Sequence, residues 1–261
     1  MTVPLRLLID PPLDGPANMA RDEALLDAVG APRCPATLRF YRWSEPTISL
    51  GYFQPYADLE SVRGQGRFDV VRRTTGGGAI LHDRELTYAL VVPQAHPLLD
   101  HGPTNVYCLM HDAIVGVLQD LGVAARRRRC ESKVEHHGRD RDTTHNRSAD
   151  EAEPFFCFAR AHALDIVVGG SKLAGSAQRR TSGGVLQHGS IILEALHDQQ
   201  PSAAVGDACR VDADELARRI AGRFADDNDL ALRSSQWQPA ELDRANHHVT
   251  RYNSPPWTRR R

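Results

Sequence analysis

Lysine is nearly missing from this chain. Lys133 and Lys172 are the only lysines among 32 Lys and Arg residues in a sequence of 261, so arginine carries almost all of the positive charge. Arginine's planar fork does not replace a compact ammonium, and a lysine kept where arginine serves elsewhere points to a place that needs one. Long apolar runs are also lacking. None approaches the roughly 20 residues of a membrane span, and Met1 to Asp10 lacks the charged-then-apolar order of a secretory signal. Net charge is close to zero, at −1, which argues against nucleic acid as a partner. The five cysteines are odd in number and show no CxxC spacing, so neither a zinc site nor a disulfide framework is indicated. Unpaired cysteines without an export signal predict a cytoplasmic protein with no metal and no membrane partner.

What is present is a core-forming composition, 41% hydrophobic over 261 residues, enough for one large domain with or without a small appendage. Periodicity predicts strands at Leu5 to Ile9, Leu38 to Tyr41, Ile48 to Leu50, Phe68 to Arg73 and Thr87 to Val92. It predicts helices at Asn18 to Val29, with Asn18 as cap, at Val106 to Leu121 and at Asp212 to Phe224. Strands and helices mix without the regular alternation of a doubly wound sheet, so the class is α+β. Ser132 to Glu153 is rich in His, Arg, Asp and Thr and nearly free of large apolar residues, and reads as a flexible insertion. After Glu194 the chain turns polar and runs through one helix to Trp257 and a basic end. The division expected is 1–195 as catalytic domain, with the insertion at 132–153, and 196–261 as a short helical extension.

Two glycine-punctuated segments carry the chemistry. In Arg72-Arg73-Thr74-Thr75-Gly76-Gly77-Gly78, bare backbone between two apolar runs can approach a ligand closely. In the second, Asp165 to Val168 reads as a strand, Gly169-Gly170 as a tight turn and Lys172 to Ala174 as the returning strand. Cys157 stands fifteen positions before Lys172, ahead of the strand leading to that hairpin. An ammonium close to a thiol favours the thiolate, the reactive form. The remaining cysteines read as small buried hydrophobes. Arg126 to Arg129 forms a basic run suited to steering an acidic carrier protein.

Cys157-Phe158, Lys172 and Gly175-Ser176-Ala177-Gln178, followed by Val185 to Leu193, resemble the lipoate ligase and octanoyltransferase family, and within it the cysteine-dependent octanoyltransferases. Asn18-Met19-Ala20 and Arg39 to Trp43 extend the likeness over most of 18–193. The resemblance implies a mixed β-sheet flanked by helices, similar to the catalytic domains of biotin ligases and class II tRNA synthetases. It implies transfer of an octanoyl group from acyl carrier protein to a lysine of the glycine-cleavage H protein or of a lipoyl domain of the 2-oxoacid dehydrogenases. Cys157 and Lys172 would be catalytic. Arg73, Gly76, Gly77, Gly78, His82, Gly175, Ser176, Ala177, His188 and Gly189 match the acyl-pocket motifs. No cofactor is implied. An ATP- and magnesium-dependent lipoate ligase, in which Lys172 faces phosphate and Cys157 is idle, is the alternative, as is an amidotransferase acting between lipoyl proteins. Ala159 to Asp165 departs from the family's usual Pro-Ser pair and aromatic, which bears on substrate preference.

Overall fold

A computed structural model describes residues 2–30, 34–62, 68–128, 154–195, 197–198 and 200–261. The predicted insertion at 132–153, Lys133 and Arg129 lie outside the described residues. Runs of strands are separated by helices in the order β1 (Val3–Ile9), α1 (Gly15–Ala28), β2 (Ala36–Tyr41), β3 (Thr47–Leu50), β4 (Asp69–Arg72), β5 (Ile80–His82), β6 (Glu85–Pro93), α2 (Pro103–Asp120), β7 (Arg126–Arg127), β8 (Ile166–Val168), β9 (Ser171–Arg180), β10 (Gly184–Ile192), α3 (Ala213–Asp227), β11 (Leu230–Ser234), α4 (Pro239–Tyr252) and α5 (Pro255–Thr258). Eight strands form one mixed sheet in the order β11-β1-β2-β6-β10-β9-β8-β7, and β4-β3-β5 form a second, smaller sheet. This is the α+β arrangement the sequence predicts.

Strand alternation sends side chains to two covered faces. Leu5, Leu7, Leu38, Phe40, Leu86, Tyr88, Leu90 and Val92 meet Met110, Ile114 and Val117 of α2 and Leu216, Ile220 and Phe224 of α3. Their neighbours Leu8, Tyr41, Ala89, Val91 and Leu186 pack on Met19, Leu25 and Leu26 of α1 and on Tyr252. A strand covered on both sides reads as a continuous apolar run, which is why Thr87 to Val92 stands out and why Glu85 to Val92 is buried throughout.

Helix ends follow local chemistry. Asp212 caps α3 by accepting from the Asp214 and Glu215 amides. In α1 the cap is Asp14, which accepts from Ala17 N at 2.8 Å, not Asn18. The Asn18 side chain instead donates to the Leu13 and Arg42 carbonyls, both at 3.0 Å, tying the helix to the chain after β2. Beyond Glu194 the one predicted helix becomes α3, β11, α4 and α5. β11 is half to fully exposed and mostly polar on its outer end, so it shows no alternation to read. It nonetheless pairs in parallel with β1 from Val3↔Leu230 to Leu7↔Ser234.

Candidate active site

Gly169 and Gly170 close the β8–β9 hairpin with φ of +57° and +92°, the left-handed pair that a two-residue turn of this hand requires. The turn sends Lys172 inward, where it is 3% exposed. Its ammonium has three N–H bonds and three acceptors: Asp165 Oδ1 at 2.9 Å, the Cys157 carbonyl at 3.3 Å and Cys157 Sγ at 3.6 Å. Asp165 is itself 1% exposed and holds its other oxygen on the His162 amide at 2.8 Å. A buried ion pair is tolerated when further hydrogen bonds complete it, and here they do. Phe158 places its ring 5.2 Å from the ammonium. Gly175 allows the close approach, since a Cβ there would lie 2.4 Å from Lys172 Cε.

Cys157 is not carried by a strand. It sits in a short 3-10 turn, Cys157–Ala159, fixed by an isolated bridge: Ala79 N donates to Phe155 O at 3.0 Å and Cys157 N to Ala79 O at 2.7 Å. The glycine loop thus holds the thiol from one side while β9 brings the ammonium from the other.

The sulfur faces a cavity with about 500 Å³ of empty space, its open mouth included. Cys157, Arg73, Gly76, Gly77, His82, Gly175, Ser176, Ala177, His188 and Gly189 line it. Gly78 does not. Its carbonyl instead accepts from Arg73 Nη2 at 2.7 Å, and its Cα packs against Arg160, so it braces the wall from behind. Met19, Tyr41, Trp43, Ser49, Ile80, Thr87, Phe158 and Ser190, none of them among the acyl-pocket residues expected from the sequence, also line it. The floor crosses β9, β10, β6 and β2 in pairing order, a width of three strand spacings or about 14 Å, with Cys157 at one end and Met19, Tyr41 and Trp43 at the other.

The polar groups around the cavity are turned away from it by one another. Arg73 is buried, and its guanidinium spans the Ser49, Gly76 and Gly78 carbonyls and the Thr75 hydroxyl. Burial pushes it down to about 10. His82 lies between Ser49 Oγ at 2.7 Å and Glu85 Oε1 at 2.7 Å, stacked on Trp43 at 3.9 Å. Burial holds its imidazole below the ordinary range, against the pull of Glu85. His188 lies between Thr75 Oγ1 at 2.6 Å and Asp22 Oδ2 at 3.1 Å. Asp22 is in turn held by Arg39 and Tyr41 at 2.6 and 2.8 Å. Ser176 joins Tyr88 at 2.5 Å and His111 at 2.7 Å. With their hydrogen bonds satisfied, these groups leave a mainly apolar surface toward the slot.

Asp165 is the functional candidate that the sequence reading passed over, as a residue opening a strand. An acidic residue seven positions before a lone lysine across a tight hairpin was the available signal. Arg127 of the basic run pairs with Asp112 at 3.0 Å, and Arg126 turns to the Arg127 and Arg128 carbonyls. Among the described residues no cluster of three or more His, Cys, Asp or Glu side chains could hold a metal ion, and no helix is long and apolar enough to cross a membrane.

Residues 14–218 match the lipoyl protein ligase A/B catalytic domain. The chain is 39% identical over 178 residues to the octanoyltransferase LipM of Macrococcus caseolyticus, covering 67% of this chain and 60% of that protein. It is 36% identical over 230 residues to the octanoyltransferase LipM of Kyrpidia tusciae, covering 87% and 77%. The first alignment thus spans three fifths of its relative and the second more than three quarters. The fold is shared with a bipartite lipoate protein ligase of Thermoplasma acidophilum, solved with its E2 lipoyl domain, at a TM-score of 0.73 and 22% identity over 99% of this chain and 96% of that one. By the extent of the catalytic-domain match and the identity to these relatives, the chain belongs to the lipoyl protein ligase A/B family.

Proposed function

We propose that this protein is an octanoyltransferase of lipoate biosynthesis, moving the acyl group from octanoyl acyl carrier protein to a lysine of a lipoyl-bearing protein through a thioester on Cys157. The acceptor is the glycine-cleavage H protein or a lipoyl domain of a 2-oxoacid dehydrogenase, and the reaction runs without a cofactor. The observation that carries this reading is the 3.6 Å contact between Lys172 Nζ and Cys157 Sγ at one end of an apolar slot. The octanoyltransferase relatives support the choice of acyl group.

The Cys157 thiolate attacks the thioester carbonyl, the C–S bond to the donor breaks, and the donor leaves as a thiolate that takes its proton from water. The Cys157 N–H is already bonded to Ala79 O and gives the forming oxyanion nothing. Lys172 is the donor at hand: once the sulfur is acylated, the N–H that faced it is left for the carbonyl oxygen, where developing charge is stabilised most. The acceptor amine then attacks the Cys157 thioester, the C–S bond breaks as the C–N bond forms, and the proton shed by nitrogen passes to the departing Cys157 sulfur. Splitting the transfer this way gives each step a good leaving group. Arg73, the glycines, His82 and His188 shape the slot, and burial of the acyl chain at about 0.8 kcal/mol per CH₂ supplies several kcal/mol of binding.

The test is intact mass after mixing the protein with octanoyl carrier protein and no ATP. An octanoyl adduct, absent in Cys157→Ser and discharged by an acceptor protein, is the expected result. Activity that requires free octanoate, ATP and magnesium, with Cys157→Ser unimpaired, refutes the reading in favour of a ligase.

A further inference from the structure

Beside the slot, and not lining it, four arginines gather around aromatic rings, of which Phe53 is exposed and Tyr52, Tyr56 and Trp257 are half-buried. Arg260 sits 4.3 Å from the Tyr52 ring and 4.9 Å from Trp257. Arg261 sits 5.1 Å from Phe53, and Arg259 sits 5.4 Å from Tyr56. From β9, Arg179 reaches Tyr52 at 5.8 Å and bonds the Thr74 carbonyl at 3.2 Å. Tyr56 N donates to the Arg261 carbonyl at 2.8 Å and Arg72 Nε to the Thr258 carbonyl at 3.0 Å, so the segment after α5 is bound down on this face. Among the described residues none of the four makes an ion pair, while Arg6, Arg21, Arg39, Arg42, Arg127, Arg219, Arg223 and Arg251 all do. In a chain of net charge −1 these four cations lie together on one face, with Asp58 and Glu60 exposed in the turn after Tyr56. At the centre of this face Phe53 is 65% exposed, and its ring lies against Gly76 at the rim of the slot.

We infer that this arginine–aromatic surface docks the protein body of the acyl donor, an acidic carrier that presents its thioester on a long flexible arm. The inference rests on the proposed acyl transfer. Charge complementarity selects an acidic partner and speeds its encounter, and an exposed aromatic among arginines is the composition of an interface centre. Position selects the donor over the acceptor. A protein whose reactive amine ends a single lysine side chain must sit over the mouth itself, whereas a donor on a long arm rests beside it and feeds the acyl group across the Gly76–Gly77 rim. Of Arg126 to Arg129, the run singled out in the sequence, Arg126 and Arg127 are occupied by the backbone and by Asp112, which favours the other four as the docking face.

The experiment measures Cys157 octanoylation by intact mass with two donors, octanoyl carrier protein and octanoyl pantetheine, which lacks protein and phosphate. In Arg259→Gln/Arg260→Gln/Arg261→Gln, the rate constant at low donor concentration falls by about 10-fold or more with carrier protein at low salt and stays within about 2-fold with octanoyl pantetheine. The single variant Arg179→Gln, on a separate segment of this face, repeats the selective loss. The wild-type rate with carrier protein falls with added sodium chloride, and the rate with octanoyl pantetheine does not. Equal rates for wild type and variants with carrier protein overturn the inference, as does equal loss on both donors. Loss confined to discharge onto the acceptor protein overturns it too, moving the surface to the second partner. If wild type takes octanoyl from neither donor, it is the proposed function that has failed, not the docking surface alone.

Discussion

Replacing Gly175 with alanine separates the chemistry of Lys172 from its role in the fold. A Cβ at this position would lie 2.4 Å from Lys172 Cε, 2.7 Å from Nζ and 3.3 Å from Asp165 Oδ1. Ordinary carbon contacts begin near 3.5 Å, so the end of the lysine must withdraw by about 1 Å. What moves is the tip of a flexible side chain, not backbone, and alanine in a strand interior regains roughly 0.5–1 kcal/mol over glycine. Net stability therefore stays within about 1 kcal/mol of wild type. Misplacing a catalytic group by about 1 Å costs on the order of 100-fold in rate, about 2.7 kcal/mol of barrier. The assay is single-turnover octanoylation of Cys157 followed by intact mass, beside urea unfolding of the same preparation. An unchanged unfolding midpoint with a rate lowered about 100-fold is expected. An unchanged midpoint with a wild-type rate would refute the argument that the ammonium's position beside sulfur matters.

Lys172→Gln leaves Asp165 buried without its counter-charge and should cost about 3–5 kcal/mol in urea unfolding; a loss below about 1 kcal/mol would mean that water reaches the carboxylate. Ala177→Leu fills the middle of the slot, so kcat/KM should fall by 10-fold or more for octanoyl donors and far less for butanoyl donors; parallel losses would place the acyl chain elsewhere. His111 is buried between Leu164 O and Ser176 Oγ, and burial pushes its imidazole down to about 3. The unfolded chain, titrating near the ordinary value of about 6.5, takes up a proton that the native state refuses. Stability therefore falls as pH drops from about 6.5 toward 3, by up to about 1.4 kcal/mol per unit from this residue. In His111→Gln the acid slope should lose up to one proton, and an unaltered slope between pH 4 and 6.5 would count against that burial. Asp14→Ala removes the α1 cap and should cost about 1 kcal/mol in urea unfolding; an unchanged midpoint would count against Asp14 as the cap.

Local chemistry made much of the molecule legible from sequence. The β8–β9 turn is written in Gly169-Gly170, and the α3 start in Asp212. The candidate pair of thiol and ammonium is written in a cysteine ahead of a hairpin that holds one of only two lysines. Such signals act within a few residues of chain, where backbone geometry and side-chain capping decide the outcome without help from elsewhere. The tertiary structure alone decided what depends on distant partners. Cys157 is aimed by Ala79, 78 positions away, through two backbone hydrogen bonds. Met19, Tyr41 and Trp43 reach the far wall because β2 and α1 lie across three strand spacings from β9. Gly78, indistinguishable in sequence from Gly76 and Gly77, falls behind the wall because Arg160 and the Phe155 carbonyl pack against it. The arginines after α5 meet β9 and Tyr52 only once the chain has folded back on itself. Side-chain type is a property of one residue, but an enclosed slot with a charge at one end is a property of strands brought together in order, and that order is set by packing both faces of the sheet at once.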